Sequence, residues 1–585
     1  MRARGSLGAA SCAMLVGLLL TGCRETQDSA PAARPDVPLD QETDGSTLAP
    51  IDLVYVCGNK FLATNGTPAR LDLTYRVAGT SESGQVSLVE APNEDPAHSE
   101  TEIETRHAGV VELYRNDERV ARRANGGLAC GAPAIAATVA GVATDPASGG
   151  QWTPPFAWPI VAVHLTLLPT GKVLSWGHNG VPTVWDPGTG VFTSVPSPSL
   201  LFCAGETLLP DGRVFVAGGH IDDDRGLPDL NLFDPVSETW SSGPPMAKGR
   251  WYPTTTTLGT GEVLTIAGRD QTSTNVLIPE VWTGSAWRAL SSASRTLPYY
   301  PRMFLAPNGR VFLAGEKQKT LYLKTSGTGS WSSVGYRLYG TRDYGSAVMY
   351  QPGKILYAGG GRTTNTAEII DLNPATPAWH WTGSMAFARR HLNATVLPTG
   401  DVLATGGTAG SGFTDESKAV HAAELWNPQA GSNGQWTTLA SNTSVRGYHG
   451  TSILLPDGRV LNAGSGDGGV ATAQLNAELY SPPYLFNGTR PVITSAPATI
   501  GYMGTFFVGQ TDGTPIGSVA LIRLGSTTHA FDQNQRFVPL SFTSVSGGLT
   551  LTAPTSRSIA PPGHYMLFIV STARVPSVAR IVKLQ

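Results

Sequence analysis

The stretch that decides the fold is Leu209–Gly219, which reads LPDGRVFVAGG. A tight turn containing glycine precedes a short apolar strand, and the strand ends in two glycines. The same pattern recurs along the chain, for example as LPTGKVL at 168–174. The copies centre on Gly171, Gly212, Gly261, Gly309, Gly353, Gly400 and Gly458. Such regular recurrence predicts a fold built from seven similar units.

The units are spaced by 41 to 58 residues, near the length of a kelch blade. Between the turns come further strand signals, such as VWDP at 184–187 and LWNP at 425–428. Strand runs alternate with turns and no helical period appears, which argues against a solenoid of another type. We therefore predict a seven-bladed kelch-type β-propeller over residues 151–486.

Both flanks of the repeat also favour strands. Residues 51–130 alternate polar and apolar side chains, as in LDLTYRV at 71–77, and predict a small N-terminal β-sandwich. Residues 131–150 are mostly small and are interpreted as a linker. Residues 487–585 predict a C-terminal Ig-like β-sandwich. The predicted fold class is all-β, in agreement with 68 Gly, 43 Pro and only 15% charged residues.

The N-terminus resembles an export signal. Arg2 and Arg4 precede a short apolar run that ends in LTGC, with the cysteine at position 23. We interpret residues 1–23 as a bacterial lipoprotein signal peptide, Cys23 as the lipidation site and residues 24–50 as a flexible tether. The lipid would be the only membrane contact, and the protein would lie in the bacterial cell envelope. The alternative is an ordinary secretory signal and a secreted protein.

Export makes the remaining cysteines informative. Cys57 and Cys130 bracket one small segment, and in an oxidising compartment they are the expected disulfide. Cys203 is then left over, as an inert buried thiol or as one committed to other chemistry.

The net charge of the chain is -3, so it lacks the positive electrostatic potential with which proteins attract nucleic acid. We therefore expect no nucleic-acid partner.

Four short motifs carry chemistry-bearing residues. In order, they are LFCAG at 201–205, GRWYP at 249–253, GYH at 447–449 and THA at 528–530. Taken singly, each of these residues is better explained by a structural role, as a side chain packed in the core or as a hydrogen-bonded histidine at the surface. Together and in this order, over roughly 151–585, they resemble the galactose oxidase and glyoxal oxidase family of copper radical oxidases.

The resemblance implies a copper ion held by Tyr252, Tyr448, His449 and His529. It implies a thioether between Cys203 and Tyr252, a radical on Tyr252, and a base role for Tyr448. The implied reaction oxidises a small alcohol, aldehyde or sugar and reduces dioxygen to hydrogen peroxide. Imidazole and phenolate donors suit Cu(II). Adjacent Tyr448 and His449 would point oppositely on a regular strand, so both can bind one metal only from an irregular turn.

One departure from the family pattern concerns the substrate side of the site. Where galactose oxidase has a tryptophan that stacks over the thioether, this chain has Asp270, so the shield on the radical is different or missing. Phe413 falls near a pocket phenylalanine of that enzyme. The RWYP context is closer to glyoxal oxidases and favours small aldehydes or simple primary alcohols over galactose.

Alternative functions remain open at this point. A propeller with a vestigial site would serve as a non-catalytic adhesion or carbohydrate-binding protein. A sialidase-like hydrolase would need paired acids and a repeated Asp-box, which are not evident. His164, His178 and His220, with Asp222, Asp223 and Asp224 nearby, offer a second metal site, although a solvated acidic loop is the favoured reading.

Overall fold

A computed structural model of the protein describes residues 51–65, 70–88, 100–125, 145–361, 363–466 and 471–585. Nearly all of its regular structure is β, which confirms the all-β fold class. In the part of the chain that the structure describes, the helical elements are one short helix, α1 (Pro146–Gly149), and 3-10 turns at Glu416–Lys418 and Pro483–Phe486. Within the described ranges, no helix is long and apolar enough to cross a membrane.

The first seven strands precede the repeat and form two antiparallel sheets with a shared apolar core. They are β1 (Ile51–Cys57), β2 (Lys60–Asn65), β3 (Leu71–Val77), β4 (Ser83–Leu88), β5 (Glu100–Glu104), β6 (Val110–Arg115) and β7 (Glu118–Ala124). Cys130, Cys23 and the linker at 131–144 lie outside the described residues. The disulfide with Cys57 and the lipidation therefore stay predictions.

The repeat forms seven four-stranded antiparallel sheets, numbered here in chain order. Two short strands, β8 (Gln151–Trp152) and β9 (Phe156–Ala157), precede sheet one. Sheet one contains β10 (His164–Leu167), β11 (Val173–Trp176), β12 (Thr183–Trp185) and β13 (Phe192–Ser194). Sheet two contains β14 (Gly205–Leu208), β15 (Val214–Ala217), β18 (Leu230–Asp234) and β19 (Thr239–Gly243), with a side hairpin of β16 (His220–Asp222) and β17 (Arg225–Gly226).

The next sheets follow the same pattern. Sheet three contains β20 (Thr254–Thr257), β21 (Val263–Ile266), β22 (Glu280–Trp282) and β23 (Trp287–Ala289). Sheet four contains β24 (Arg302–Leu305), β25 (Val311–Gly315), β26 (Lys319–Lys324) and β27 (Ser330–Tyr336). Sheet five contains β28 (Ser346–Gln351), β29 (Lys354–Ala358), β30 (Ala367–Asp371) and β31 (Trp379–Trp381). Sheet six contains β32 (Asn393–Val396), β33 (Val402–Thr405), β34 (Ala422–Asn427) and β35 (Gln435–Ser441).

Sheet seven closes the ring of sheets. It contains β36 (Gly450–Leu454), β37 (Val460–Gly464) and β38 (Asn476–Ser481), and its fourth strand is β8 from before sheet one. The first strands β36 and β10 also contact each other, as do the first strands of several other neighbouring sheets. Apolar cores fill the spaces between neighbours, as between sheets one and two. The seven sheets match the seven sequence units, and we interpret them as propeller blades.

The remaining strands form two further sheets around a common core and one hairpin that leaves them. They are β39 (Thr499–Ile500), β40 (Thr505–Gly509), β41 (Ile516–Arg523), β42 (Ser526–Thr528), β43 (Phe531–Asp532), β44 (Phe537–Leu540), β45 (Phe542–Val545), β46 (Gly548–Thr552), β47 (Gly563–Ser571) and β48 (Arg580–Leu584). The hairpin β42–β43 joins sheet one, where Thr528 pairs with His164 of β10. This insertion brings the next residue, His529, to the first strands of the sheets.

Candidate active site

The loops that enter the first strands of sheets two to seven share one position. Two residues before each strand stand Cys203, Tyr252, Tyr300, Tyr344, His391 and Tyr448. The first five have positive φ angles between 43 and 64°, and in the last loop the positive φ is at His449. Non-glycine residues adopt this conformation uncommonly, and clusters of such strain occur at functional sites. Each of sheets two to seven thus presents one Cys, Tyr or His side chain at this position.

Buried ion pairs hold four of these loops. Arg250 pairs with Glu280 at 2.9 Å in sheet three, and Arg446 pairs with Glu478 at 3.0 Å in sheet seven. Sheets five and six repeat the arrangement with Arg342–Glu368 and Arg389–Glu424. In each case the arginine lies two residues before the entry position and also donates to a backbone carbonyl at the end of the second strand or directly after it. Each guanidinium is therefore compensated within its own sheet.

The structure brings together all four predicted ligand residues. Tyr252 Oη lies 2.6 Å from Tyr448 Oη and 3.0 Å from His529 Nε2. The imidazole rings of His449 and His529 have centroids 4.7 Å apart. His449 Nδ1 is 2.6 Å from the carbonyl oxygen of Gly466 and donates to it, which directs Nε2 to act as a lone-pair donor.

Local turns account for this convergence. Tyr448 and His449 lie in a turn closed by a 2.9 Å hydrogen bond from Gly450 N–H to the Gly447 carbonyl, as their adjacency requires. His529 and Ala530 form the two-residue tip of the β42–β43 hairpin, both with positive φ. Two residues with positive φ are typical of a type I′ hairpin turn. The tip carries His529 next to Tyr252.

Cys203 lies beside Tyr252 in a buried cluster that also includes Phe202, Trp251 and Tyr300. The Tyr252 N–H donates to the Cys203 carbonyl at 2.8 Å, so the two entry loops are directly connected. Cys203 is fully buried, which places its thiol away from solvent and against the Tyr252 loop.

Burial controls the charge of the site. It raises the pKa of Tyr252 well above 10.0, with Cys203 and Tyr448 adding to the effect. Burial and the neighbouring His449 lower the pKa of His529 well below 6.5. Tyr252 and His529 are therefore neutral near pH 7 unless a cation is added. Two imidazole nitrogens with two phenol oxygens fit Cu(II), which would stabilise the phenolate forms.

The ring of Tyr252 is covered by Trp251, not by the residue at position 270. The two rings stack with centroids 3.8 Å apart and an interplanar angle of 8°. Trp251 Nε1 also donates to His220 Nδ1 at 3.1 Å. Asp270 instead closes a turn by accepting from Thr272 N–H at 2.8 Å. The aromatic side chain that covers the Tyr252 ring thus comes from the adjacent residue in the chain.

Phe413 lies at the open side of the site. It is 37% exposed, and its ring makes edge contacts with Tyr448 at 4.8 Å and with Tyr344 at 5.1 Å. The Tyr344 ring also meets the Tyr448 ring edge-on, with centroids 5.7 Å apart. His391 packs against the same ring at 4.7 Å, and its Nε2 donates to the Phe413 carbonyl at 2.7 Å. Tyr344 and His391 were not predicted; the arginine two residues earlier is the signal that marks them.

The acidic loop after His220 has structural partners. Asp224 accepts from the Tyr299 hydroxyl at 2.7 Å and lies 3.4 Å from Arg269. His178 and His220 make a ring contact at 4.9 Å, whereas His164 is elsewhere, bonded to Glu206. Among the residues that the structure describes, no group of three or more His, Cys, Asp or Glu is arranged to hold a metal. The loop reading is favoured over a second metal site.

Family models match two parts of the chain. Residues 359–484 match the model described as glyoxal oxidase N-terminus, and residues 490–584 match the galactose oxidase-like early set domain. A solved structure described as a novel fungal alcohol oxidase with catalytic diversity among the AA5 family, in complex with copper, has a TM-score of 0.68 at 26% identity. That similarity covers 75% of this chain and 100% of the solved one.

Two relatives are similar over most of their length. Galactose oxidase of Gibberella zeae is 31% identical over 495 residues, which cover 75% of this chain and 71% of the relative. Aldehyde oxidase GLOX of Vitis pseudoreticulata is 31% identical over 435 residues, covering 66% and 82%. With the site geometry, these similarities show that the chain belongs to the galactose oxidase and glyoxal oxidase family of copper radical oxidases.

Proposed function

We propose that this protein is an exported copper radical oxidase that converts primary alcohols or aldehydes and reduces dioxygen to hydrogen peroxide. Copper would be held by Tyr252, Tyr448, His449 and His529. The observation that carries the assignment is the contact of Tyr252 Oη with both Tyr448 Oη at 2.6 Å and His529 Nε2 at 3.0 Å. Four donors from three distant segments meet in a buried place that supplies no charge of its own.

Cys203 and Tyr252 would be joined by a thioether, which lowers the oxidation potential of the phenol. When bound, copper supplies a one-electron acceptor next to Tyr252, so that metal and phenol together take two electrons from substrate. Tyr448 is the acceptor of the substrate hydroxyl proton, since its oxygen lies beside Tyr252 Oη and at the open side of the site. The Tyr344 ring packs edge-on against the Tyr448 ring at 5.7 Å and helps to hold that side chain in place.

Trp251 would protect the oxidised Tyr252. Its indole covers one face of the phenol ring at 3.8 Å and excludes solvent from that face. An electron-rich indole next to an electron-poor ring also favours the oxidised form. Trp251 thus takes the place of the tryptophan that galactose oxidase supplies from another position.

The substrate class is small aldehydes, as their hydrates, or simple primary alcohols. Three aromatic rings, of Phe413, Tyr344 and Tyr448, bound the open side and contact each other at 4.8 to 5.7 Å. Such a rim offers apolar contact and few hydrogen bonds for the hydroxyls of a sugar.

We also propose the domain limits 51–130, 151–486 and 487–585, with export by residues 1–23 and a lipid at Cys23.

The alternative of a non-catalytic kelch adhesion or carbohydrate-binding protein is not favoured. A vestigial site has no need to keep a buried Cys203 beside Tyr252 or two imidazoles beside two phenols, because unpartnered buried polar groups cost stability. Family membership points in the same direction.

The test combines copper binding, crosslinking and turnover. Copper-loaded protein is expected to lose two hydrogens at the Cys203 and Tyr252 peptides and to release peroxide with methylglyoxal or benzyl alcohol in preference to galactose. His449→Ala should abolish copper binding and activity, whereas the exposed His380→Ala should leave both unchanged. Cys203→Ala should bind copper without the mass loss. Full copper loading with no crosslink and no peroxide would reject the proposal and favour the binding protein.

A further inference from the structure

A buried pair of acid and imidazole lies directly behind the site. His164 Nδ1 is 2.8 Å from Glu206 Oε2, and both side chains are 0% exposed. His164 begins β10 of sheet one and Glu206 lies in β14 of sheet two, so the pair bridges two sheets. Neither residue touches the open side of the site, and the proposed reaction uses neither of them.

The other nitrogen of this imidazole defines its role. His164 Nε2 accepts a hydrogen bond from the backbone N–H of Cys203 at 3.2 Å. An imidazole that accepts at Nε2 carries its proton on Nδ1, so His164 donates to Glu206 and not the reverse. Two hydrogen bonds are therefore linked in series: Cys203 N–H donates to His164 Nε2, and His164 Nδ1–H donates to Glu206.

Ring contacts fix the His164 plane. The ring stacks on Trp176 with centroids 4.8 Å apart and an angle of 11°, and it meets His529 edge-on at 5.9 Å. Because His164 also pairs with Thr528 in the strand register, its backbone is tied to the hairpin that carries His529. One side chain thus connects the Cys203 loop with the His529 hairpin.

Sheet two has no arginine where the anchored loops have one. The residue two positions before Cys203 is Leu201, whereas Arg250 stands two positions before Tyr252. Cys203 is nevertheless held in a left-handed conformation, with a φ of 61°. Its N–H is held by His164 at 3.2 Å and its carbonyl by the N–H of Tyr252 at 2.8 Å. The acid and imidazole pair takes the place of the arginine anchor.

We propose that His164 and Glu206 are positioning residues for thioether formation, holding the Cys203 backbone where Sγ meets the Tyr252 ring. The inference rests on the proposed function. In the step itself, the Sγ–H bond and one ring C–H bond are broken and one C–S bond forms. The two electrons and two protons pass to dioxygen in the copper-loaded protein, giving hydrogen peroxide.

The charge of Glu206 is not needed for this role. Burial, with Asp532 nearby, raises the pKa of Glu206 well above 4.5, which disfavours its charged form. The role requires only the oxygen Oε2, which accepts from His164 Nδ1 at 2.8 Å. An amide oxygen can accept the same hydrogen bond, whereas the thioether sulfur of methionine is only a weak acceptor.

The experiment follows crosslinking in time. Copper-free full-length protein receives Cu(II) in air, and mass spectrometry measures the loss of two hydrogens from the Cys203 and Tyr252 peptides. Glu206→Gln should crosslink within about twofold of wild type. Glu206→Met, of similar length but without the acceptor, should crosslink about ten- to a hundredfold more slowly, because small misplacements strongly slow reactions between aligned groups. Equal copper binding and equal near-ultraviolet dichroism are the controls for folding.

Each outcome has one meaning. A Glu206→Met protein that is folded, binds copper and crosslinks at the wild-type rate overturns the inference, while the proposed function stands. So does a Glu206→Gln protein that is tenfold slower, since the amide keeps the shape and the acceptor. If Glu206→Met does not fold, His164→Phe replaces it: the ring can still stack on Trp176 but cannot accept from the Cys203 N–H, so crosslinking should be slowed to the same extent, and a wild-type rate overturns the inference. A wild type that binds copper without losing two hydrogens contradicts the proposed function itself.

Discussion

Trp251→Leu is the substitution with the clearest expected effect on the redox properties of the site. It removes the aromatic plane that lies 3.8 Å from the Tyr252 ring. Stacked aromatic pairs contribute about 0.5–1.5 kcal/mol beyond the area they bury. The indole favours the electron-poor oxidised ring over the electron-rich phenolate, so its loss should make Tyr252 harder to oxidise. With about 59 mV for each 1.4 kcal/mol in a one-electron couple, the midpoint potential should rise by about 20–60 mV.

The assay is a redox titration of the copper-loaded protein, with the absorption of the oxidised Tyr252 as the signal. Trp251→Phe keeps an aromatic face but loses the hydrogen bond to His220, and it should show less than half of the Leu shift. Trp287→Leu is the matched control, because Trp287 lies on an outer strand and donates to the Pro244 carbonyl. The lifetime of the oxidised form should shorten in Trp251→Leu, since one ring face becomes open to solvent.

The reasoning would be refuted by a Trp251→Leu protein whose midpoint potential lies within about 10 mV of wild type, well below the shift expected from the stacking energy. An unchanged lifetime of the oxidised form would separately show that the indole does not protect it. A similar shift in Trp287→Leu would mean that the measurement reports general destabilisation.

Three further predictions follow from the same contacts. Tyr344→Leu removes the ring that packs edge-on against Tyr448 and should lower kcat/KM about 3- to 10-fold in a peroxide assay, because an aromatic pair contributes about 0.5–1.5 kcal/mol. An unchanged value would contradict its positioning role. Arg389→Met should cost about 3–5 kcal/mol in urea unfolding by leaving Glu424 buried and unpaired, and Arg389→Met with Glu424→Met should recover most of the loss. Because the pKa of Glu206 is raised well above 4.5, its protonated form stabilises the fold fully below about pH 4.5 and this contribution is lost as the pH rises toward the folded-state pKa. Wild type should therefore lose about 1.4 kcal/mol of stability per pH unit relative to Glu206→Gln in that range, and parallel stability curves would reject the protonated acid.

The sequence was sufficient for the repeat and for the five residues of the proposed copper and thioether site. The turn that precedes each second strand is local, so a glycine-containing motif predicts it without knowledge of distant contacts. The motifs around Cys203, Tyr252, Tyr448 and His529 were strong because they occurred together and in order. The turn required for adjacent Tyr448 and His449 is present.

Tyr344, His391 and the stacking role of Trp251 were not predicted, for a physical reason. Each depends on a residue with a left-handed backbone conformation at the entry of a first strand. A glycine would have indicated this conformation in the sequence, but a tyrosine or a histidine does not. Counting along the chain led to Asp270, but the shield comes from the residue adjacent to Tyr252. His164 was grouped with His178 and His220, yet its partner is Glu206, which lies 42 residues away in a different sheet.

Anchoring of the entry loops explains why one repeated position can carry such different chemistry. In sheets three, five, six and seven an arginine before the entry residue bonds a glutamate of the same sheet, so the loop is fixed independently of the side chain at the entry. In sheet four the anchor lies after it, where Arg302 Nη1 donates to the Tyr300 carbonyl at 2.7 Å. In sheet two, His164 and Glu206 perform the task. Because the anchors bond backbone carbonyls, or the Cys203 N–H in sheet two, the entry side chain is not needed to hold its own loop, and it can take the roles proposed above.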